Sequence, residues 1–230
     1  MKKAVILLSG GLDSTTLLYY AQAQGYRPHC LIFEYGQRHR KEITRATRIA
    51  KLAGCPYQVM KIALPWRGSS LLDKRLRLPK HGKIKKNVIP STYVPARNII
   101  FLSFAASFAE AIRAQAVFIG ANAIDYSGYP DCRPGFFSAF QKVLQRGLKT
   151  GVERKAIKIY TPLIRKTKAQ IIQMGLKLNV PYRLTWSCYR GGARPCGKCD
   201  SCVLRTKGFN EADAHDPLMR GKGAQNIVYK

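Results

Sequence analysis

The residues Leu7-Leu8-Ser9-Gly10-Gly11-Leu12-Asp13-Ser14-Thr15-Thr16 join a strand-like pattern to a helical one. The apolar run 4–8 predicts a short buried strand, and apolar residues at helical spacing after the stretch predict a helix. Two glycines between a strand and a helix allow backbone angles and close contacts that a side chain would block. Free N–H groups and the helix dipole favour an anion at such a helix start, so the stretch predicts a phosphate site.

The side chains of this stretch support the same prediction. Four hydroxyl donors suit a phosphate: Ser9, Ser14, Thr15 and Thr16. The carboxylate of Asp13 would repel a phosphate unless a cation lies between them, so we interpret Asp13 as a metal-side or orienting residue. On the glycines alone, a tight turn capped by Asp13 or Ser14 is an equally good interpretation. The full string excludes a Walker loop, because no Gly-Lys-Ser/Thr follows, and it does not match GxGxxG.

The composition is that of a basic protein with enough apolar residues to form a hydrophobic core. With 230 residues, 46% of them hydrophobic, the chain is long enough for one sizeable domain, or for one domain with a small appendage. Lysine and arginine number 40 against 12 acidic residues, which gives a net charge of +28. This charge indicates polyanionic partners such as nucleotides, tRNA or another nucleic acid. A basic surface typical of a heat- or acid-adapted proteome explains it equally well.

The same sequence gives an expectation for the compartment. No apolar run reaches the roughly 20 residues of a membrane helix. The chain enters a strand at once, which leaves no room for a signal peptide. We therefore expect a cytoplasmic protein without membrane contact.

Strands and helices alternate along most of the chain. Apolar runs predict further strands at 28–33, 57–62, 116–119 and 157–160, and helical patterns cover 41–53, 99–114, 136–149 and 166–178. The alternation predicts an α/β fold with a doubly wound, mainly parallel sheet. We expect residues 1–184 to form this nucleotide-binding domain, and 185–230 to form a C-terminal zinc-binding segment with a basic tail. The basic, irregular residues 63–92 predict a lid or an interface arm.

Polar residues follow several of the predicted strands, where open α/β sheets bind their ligands. Arg38 follows the second strand, and Arg97 begins a strongly apolar helix. A helix cap beside a surface arginine is the structural alternative for Arg97 and Asn98.

The loop at 120–133 is long and rich in aromatic and acidic residues, more than a connector needs. We expect two tyrosines to flank a flat heterocycle and three charged residues to bond its edge: Tyr126, Tyr129, Asp125, Asp131 and Arg133. A self-packed loop closed by tyrosine and aspartate hydrogen bonds is the alternative.

Four of the seven cysteines fall in one short segment: Cys188, Cys196, Cys199 and Cys202. Four thiolates suit tetrahedral Zn²⁺ with Zn–S distances of about 2.3 Å, and leave no open position, so we expect one structural zinc per chain. The competing interpretations are an iron–sulfur cluster and a redox dithiol. The odd number and tight cluster argue against a disulfide framework.

Several strings, taken in order, resemble one enzyme family. They are SGGLDSTT, YGQRH, VPARN, DYSGYPDCR, TPL, and SCY followed by CGKCDSC and Arg205. SGGLDST resembles the PP-loop of the ATP pyrophosphatases, which split ATP between its α and β phosphates. Together the strings resemble the 7-cyano-7-deazaguanine synthase family, from residue 3 to about residue 217. The chain departs from that family at Ala96, where many members have glycine, at Gln170, where many have glutamate, and in its far more basic surface.

The resemblance implies a nitrile-forming ligase of queuosine or archaeosine precursor synthesis. One ATP would adenylate 7-carboxy-7-deazaguanine, ammonia would give the amide, and a second ATP would activate the amide so that loss of AMP leaves the nitrile. ATP with Mg²⁺ is implied as co-substrate. The implied ATP-binding residues are Leu8, Ser9, Gly10, Gly11, Leu12, Asp13, Ser14, Thr15, Thr16, Leu17 and Leu18. Arg38, Arg97 or Lys168 is implied to stabilise charge at the α-phosphate.

Other function classes stay open at this point. A PP-loop tRNA-modifying enzyme, such as a thiolase, would explain the basicity but needs a cysteine near the loop. A relative that ligates a deazaguanine to another molecule would use the same ATP chemistry. A non-catalytic zinc-bearing nucleic-acid binder would leave the loop unexplained. We expect small-molecule partners and no need for nucleic acid in catalysis; a homodimer stays open.

Overall fold

The computed structural model describes residues 1–79, 88–122 and 128–218. Within them it contains a sheet of five strands, which are β1 (Lys2–Leu7), β2 (Tyr26–Glu34), β3 (Tyr57–Lys61), β4 (Ala116–Phe118) and β5 (Lys158–Tyr160). The helices are α1 (Leu12–Ala23), α2 (Lys41–Leu52), α3 (Arg97–Ala111), α4 (Pro134–Gly147), α5 (Lys149–Val152), α6 (Lys168–Lys177) and α7 (Asp200–Glu211). No helix of this described part is long and apolar enough to cross a membrane.

The strands lie in the order β3-β2-β1-β4-β5, and every neighbouring pair is parallel. The chain winds outward from β1 in one direction through β2 and β3, and then returns to the other side of β1 for β4 and β5. This topology confirms the predicted doubly wound α/β fold. The direction of winding reverses between β1 and β4, which is where such sheets bind ligands.

Each face of the sheet carries its own core because neighbouring strand residues point to opposite faces. Ala4 and Ile6 of β1 join the core under α1, α2, α6 and α7, whereas Val5 and Leu7 join the core under α3 and α4. All four side chains are nearly or completely buried. The continuous apolar run that predicted β1 therefore reflects a strand covered on both faces.

Helix α7 is the long element that the sequence did not predict. Its buried face is formed by Ser201, Cys202, Arg205, Gly208 and Phe209, a set with no apolar periodicity. The Arg205 side chain holds this helix in place, because it donates to Asp216 at 2.7 and 2.9 Å and to Thr185 Oγ1 at 2.7 Å. Residues 185–218 thus pack on the sheet domain through polar contacts as well as through Phe209.

Candidate active site and metal centre

Gly10 lets the loop after β1 lie directly against α2. Its φ is 77°, a left-handed value that favours glycine. A Cβ atom there would lie 2.4 Å from the Glu42 carbonyl oxygen and 2.7 Å from the Ala46 amide nitrogen. Gly11 then precedes α1 with extended backbone, and no side chain caps the helix start. The first N–H groups of α1 are therefore available to an anion.

The hydroxyls of the loop form a small network. Ser14 Oγ lies 3.1 Å from Ser9 N and 2.9 Å from Ser9 Oγ. Thr15 donates to the Gly11 carbonyl at 2.7 Å. Thr16 instead contacts the Tyr182 hydroxyl at 2.9 Å, on the side facing α6. Leu17 and Leu18 are completely buried in the core.

The implied ATP-binding stretch thus divides into two parts. A cavity of about 280 Å³ is lined by loop and helix-start residues, namely Leu8, Ser9, Gly11, Leu12, Asp13 and Ser14. Gly10 supports the loop from behind, and 15–18 fix α1 to the domain. Binding roles for the whole stretch stay a prediction.

The cavity lies at the point where the winding of the sheet reverses. Gly120, just after β4, closes it beside the start of α1, because a Cβ atom at Gly120 would lie 3.3 Å from Ser14 N. Asn122 follows in the wall and donates to the Lys166 carbonyl at 2.6 Å. The phosphate-binding geometry and the cavity therefore share one edge of the sheet.

Asp13 and Lys168 meet at this cavity although 155 positions separate them in the sequence. The Lys168 ammonium lies 2.8 Å from Oδ1 and 2.7 Å from Oδ2 of Asp13. The Lys168 side chain is 8% exposed and that of Asp13 is 19% exposed. The structure thus pairs a residue expected to face Mg²⁺ with one expected to face the α-phosphate, and both roles stay predictions.

Arg97 supplies a half-buried cation to the lining of the same cavity. It begins α3 directly after Ala96, whose φ of 54° is left-handed. Its guanidinium donates to the Tyr35 hydroxyl at 3.4 Å. Burial works against its charge, yet the neighbouring phenols of Tyr35 and Tyr129 leave the pKa of Arg97 above its usual value. A cation that stays charged in a half-closed cavity suits a carboxylate or phosphate ligand.

Arg38 lines the same cavity, but its donors point to backbone carbonyls. It donates to Ser70 at 2.5 Å, to Asp73 at 2.8 Å and to Leu76. Arg38 therefore fixes the base of the basic segment 69–77 beside the cavity. Contact with an α-phosphate stays a prediction for this residue.

The loop at 120–133 is described only in part. Asp125 and Tyr126 lie outside the described residues. Tyr129 lines the cavity, and its hydroxyl lies 2.6 Å from Thr92 Oγ1. The Asp131 carboxylate accepts from the Asn98 backbone N–H at 3.1 Å, so it caps α3 from outside the cavity lining. Arg133 is exposed at the start of α4. Asp131 therefore contacts α3, and a binding role for it stays a prediction.

The four clustered cysteines form a candidate metal centre. The sulfurs of Cys188, Cys196, Cys199 and Cys202 all lie within 4.8 Å of one another. Backbone N–H groups already point at two of them, from Cys196 to Cys188 Sγ at 3.3 Å and from Cys199 to Cys196 Sγ at 3.4 Å. A tetrahedral ion with metal–sulfur distances of about 2.3 Å separates its sulfurs by about 3.8 Å, so the set fits one ion.

Trp186 connects this centre to the glycine loop. Its backbone N–H donates to the Gly10 carbonyl at 2.8 Å, which ties the C-terminal segment to the loop after β1. Its ring N–H donates to the Cys188 carbonyl at 2.9 Å. The Lys41 ammonium lies 4.3 Å from the centroid of the same ring. The metal centre is therefore built against the wall of the cavity.

A family model for "Queuosine biosynthesis protein QueC" matches residues 3–213, which is most of the chain. The chain belongs to the QueC family. The match includes the glycine loop, the cavity wall and all four clustered cysteines.

Curated relatives of this QueC family member are similar over nearly their whole length. A 7-cyano-7-deazaguanine synthase of Thermoplasma acidophilum is 53% identical over 218 residues, covering 94% of this chain and 91% of the relative. A protein of the same name from Acetivibrio thermocellus is 52% identical, covering 95% of this chain and 97% of the relative. The family resemblance inferred from the motifs is thereby confirmed.

Among solved structures, a 4-thiouridine synthetase in complex with RNA and bound ATP has a TM-score of 0.51 and 18% sequence identity. The match covers 92% of this chain and 50% of that one. At this identity the likeness concerns the fold alone, and it agrees with the PP-loop α/β architecture of the QueC family.

One acidic residue of the cavity wall was not predicted from the sequence of this QueC family member. Glu42 lies on the first turn of α2 and lines the cavity. Burial raises the pKa of its carboxyl to about 7, while Arg97 acts in the opposite direction. The sequence did contain a signal for this residue, because Glu42 is the only acidic residue of α2, which also carries four basic residues.

Proposed function

We propose that the protein is a 7-cyano-7-deazaguanine synthase, which converts 7-carboxy-7-deazaguanine, ammonia and two ATP into the nitrile, two AMP and two pyrophosphates. The observation that carries this proposal is the shared cavity, which brings the glycine loop, the Asp13–Lys168 pair and Arg97 together where the sheet reverses its winding. The names of the curated relatives supply the substrate.

In the first half of the proposed reaction, a carboxylate oxygen of the substrate attacks the α-phosphorus of ATP. A P–O bond forms, and pyrophosphate leaves with the electron pair of the broken bond. Ammonia then attacks the acyl carbon, AMP leaves, and the product is an amide.

In the second half, the amide oxygen attacks the α-phosphorus of another ATP and displaces pyrophosphate. Loss of the remaining N–H protons and of AMP leaves the nitrile. Each half therefore needs the same phosphate site and an acceptor for protons released by nitrogen.

The residues of the cavity have roles that suit these steps. The N–H groups at the start of α1 and the Ser9–Ser14 hydroxyl network would hold the phosphates. Lys168 and Arg97 would stabilise charge that develops at the α-phosphate, because both cations line this cavity. Asp13 would hold Mg²⁺, which neutralises phosphate charge when ATP is bound.

The cysteine cluster would hold one Zn²⁺ in a structural role. Four protein sulfurs complete a tetrahedral shell, which leaves no position for substrate. Within the proposal, the ion stabilises the turn that carries Trp186 against the glycine loop.

A thiolase-type reaction is less well supported by the described residues. Among them, Cys132 is the cysteine that lines the cavity, and burial raises the pKa of its thiol to about 11. A thiol that stays protonated at neutral pH is a poor nucleophile. We therefore favour nitrogen chemistry, in the cytoplasm, where unpaired cysteines persist.

The direct test is incubation of purified protein with ATP, Mg²⁺, ammonium and 7-carboxy-7-deazaguanine, followed by mass spectrometry. We expect the nitrile, AMP and pyrophosphate, with no nitrile when ammonium or ATP is omitted. Consumption of ATP without any change in the deazaguanine would contradict the proposed function.

A further inference from the structure

Two carboxylates line the described part of the cavity wall, and only one of them has a close cationic partner. Asp13 is held by Lys168 through both oxygens. Glu42 lines the same wall, and among the described residues none donates a hydrogen bond to its carboxylate. Glu42 is half-buried, and partial removal of a carboxylate from water is costly unless the group is paired or used. No ion pair within the described part of the chain explains why a carboxyl group lies in this wall.

The nitrogen chemistry proposed above creates a need for such a group. The nitrogen of ammonia loses all three of its hydrogens on the way to a nitrile. One proton leaves as the amide forms, and two leave as the adenylated amide collapses to the nitrile and AMP. Each proton needs an acceptor at the nitrogen side of the reacting carbon.

We propose that Glu42 is the catalytic base that accepts these protons. This inference rests on the proposed function and deepens it. When the C–N bond forms and the C–O bond to AMP breaks, one N–H proton passes to the Glu42 carboxylate and then to water. When the C≡N bond forms and the second C–O bond breaks, Glu42 accepts N–H protons again, one at a time.

The placement of Glu42 suits this role. It lies on the first turn of α2, and its backbone carbonyl contacts the loop at Gly10, so the residue is fixed beside the phosphate site. Arg97 of α3 stands close enough to interact with its charge. A base and an anion-stabilising cation therefore face the same space.

The electrostatic surroundings tune the carboxyl towards neutral pH. Burial is the largest influence and raises the pKa of Glu42 to about 7. The charged or titratable groups facing it are Arg97, which lowers the pKa, Cys188, which raises it, and the Tyr35 phenol. A base with a pKa near the working pH is efficient in proton transfer.

The test uses the second half of the reaction, starting from the amide of 7-deazaguanine with ATP and Mg²⁺ and without ammonium. Ammonia protonation then cannot affect the pH profile. In the wild type, the rate of nitrile formation should rise with pH through about 7 as Glu42 loses its proton. Glu42→Gln should lower this rate by about 10²-fold or more and remove the rise.

Glu34→Gln is the matched control, because Glu34 pairs with the exposed Arg40 at the end of β2 and does not line the cavity. It should leave the rate and its pH dependence unchanged. Glu42→Asp keeps a carboxylate and should retain part of the rate and a pH-dependent rise. Thermal melting and metal content show whether Glu42→Gln folds. If it does not fold, the rate and pH profile of Glu42→Asp test whether the Glu42 carboxylate is the base.

A separate measurement distinguishes a base from a nucleotide ligand. Exchange of labelled pyrophosphate into ATP, with the carboxylate substrate and no ammonium, reports adenylation alone. Glu42→Gln should keep this exchange within about threefold of the wild-type rate, because a base on nitrogen is not used there. Equal loss of exchange and nitrile formation, or an unchanged nitrile rate and pH profile, would overturn the assignment. Absence of nitrile with the wild type would instead contradict the proposed function.

Discussion

Among the single residues, Asp13 and Lys168 form a pair that joins the start of α1 to the start of α6 at the cavity. Both side chains are largely shielded from water, so removing either charge would leave the other unpaired and destabilise the folded protein. Lys168 is thereby held at the start of α1, where a phosphate would lie. The sequence could not reveal this pair, because 155 positions separate its members.

Asp13→Asn should lower AMP formation by about 10²-fold or more at saturating ATP, because it removes the charge proposed to hold Mg²⁺. It should also lower stability by about 1–3 kcal/mol, since Lys168 loses its partner. Activity assays and thermal melting check both effects. Asp213→Asn, at an exposed position away from the cavity, is the control. Comparable turnover in Asp13→Asn would contradict the assignment of the loop.

Among the secondary-structure elements, helix α7 connects the candidate metal centre to the glycine loop. It begins next to Cys199, carries Cys202, and packs on α6 through Gly208. A Cβ atom at Gly208 would lie 2.3 Å from Lys168 Cγ, near the root of that side chain. The absence of a side chain at 208 therefore lets Lys168 reach Asp13.

Gly208→Ala should displace Lys168 and weaken ATP binding about tenfold, or about 1.4 kcal/mol. Alanine favours the helix over glycine by about 1 kcal/mol, so lower helix propensity would not explain a loss of ATP binding. Calorimetric titration with ATP measures the effect, and in a Lys168→Ala background Gly208→Ala should have little further effect. Gly147→Ala, with open space around the new Cβ atom, is the control. Equal ATP affinity in both glycine variants would count against this link.

Cys199→Ser should lower metal content below one zinc per chain and reduce the melting midpoint by about 5 °C or more, because metal binding is coupled to folding of the segment. Metal analysis and calorimetry measure these quantities. Cys55→Ser removes a thiol outside the cluster and should leave the metal in place. A Cys199→Ser variant without metal but with wild-type stability would argue against a structural ion.

The elements also show what sequence reasoning can and cannot supply. Strands β1 to β5 and most helices were predictable, because their buried faces leave local apolar patterns. Helix α7 was missed because its buried face is formed by polar and small residues such as Arg205 and Gly208. The cysteine spacing predicted the cluster of four sulfurs, which could hold a metal ion. The contact of Asp131 with α3 was not predictable, because its partner Asn98 lies 33 positions away in the sequence.

At the scale of the whole molecule, the net charge of +28 stays without an assigned partner. The segment 73–86 carries seven basic residues, of which Lys74, Arg75 and Arg77 are exposed. The other four, Lys80, Lys83, Lys85 and Lys86, lie outside the described residues. Arg38 fixes the described residues 69–77 beside the cavity, and the choice between a lid and an accessory patch for the whole segment stays a prediction.

Replacing those seven side chains with serine should leave nitrile synthesis intact and weaken binding to tRNA, if the segment is an accessory patch. In the wild type, tRNA affinity should fall as salt rises, because each phosphate contact releases counterions. Filter binding across a salt series and the nitrile assay measure the two effects. Lost synthesis in a folded variant would identify the segment as a lid and contradict the prediction.

The proposed reaction requires one cavity to adenylate first a carboxylate and then an amide. The most direct measurement starts from 7-carboxy-7-deazaguanine with ¹⁸O in both carboxyl oxygens, and follows the label by mass spectrometry. We expect two AMP for each nitrile, each AMP carrying one ¹⁸O, because each carboxyl oxygen attacks one α-phosphorus and leaves with it. Unlabelled AMP, or label in ADP or inorganic phosphate, would contradict the proposed reaction.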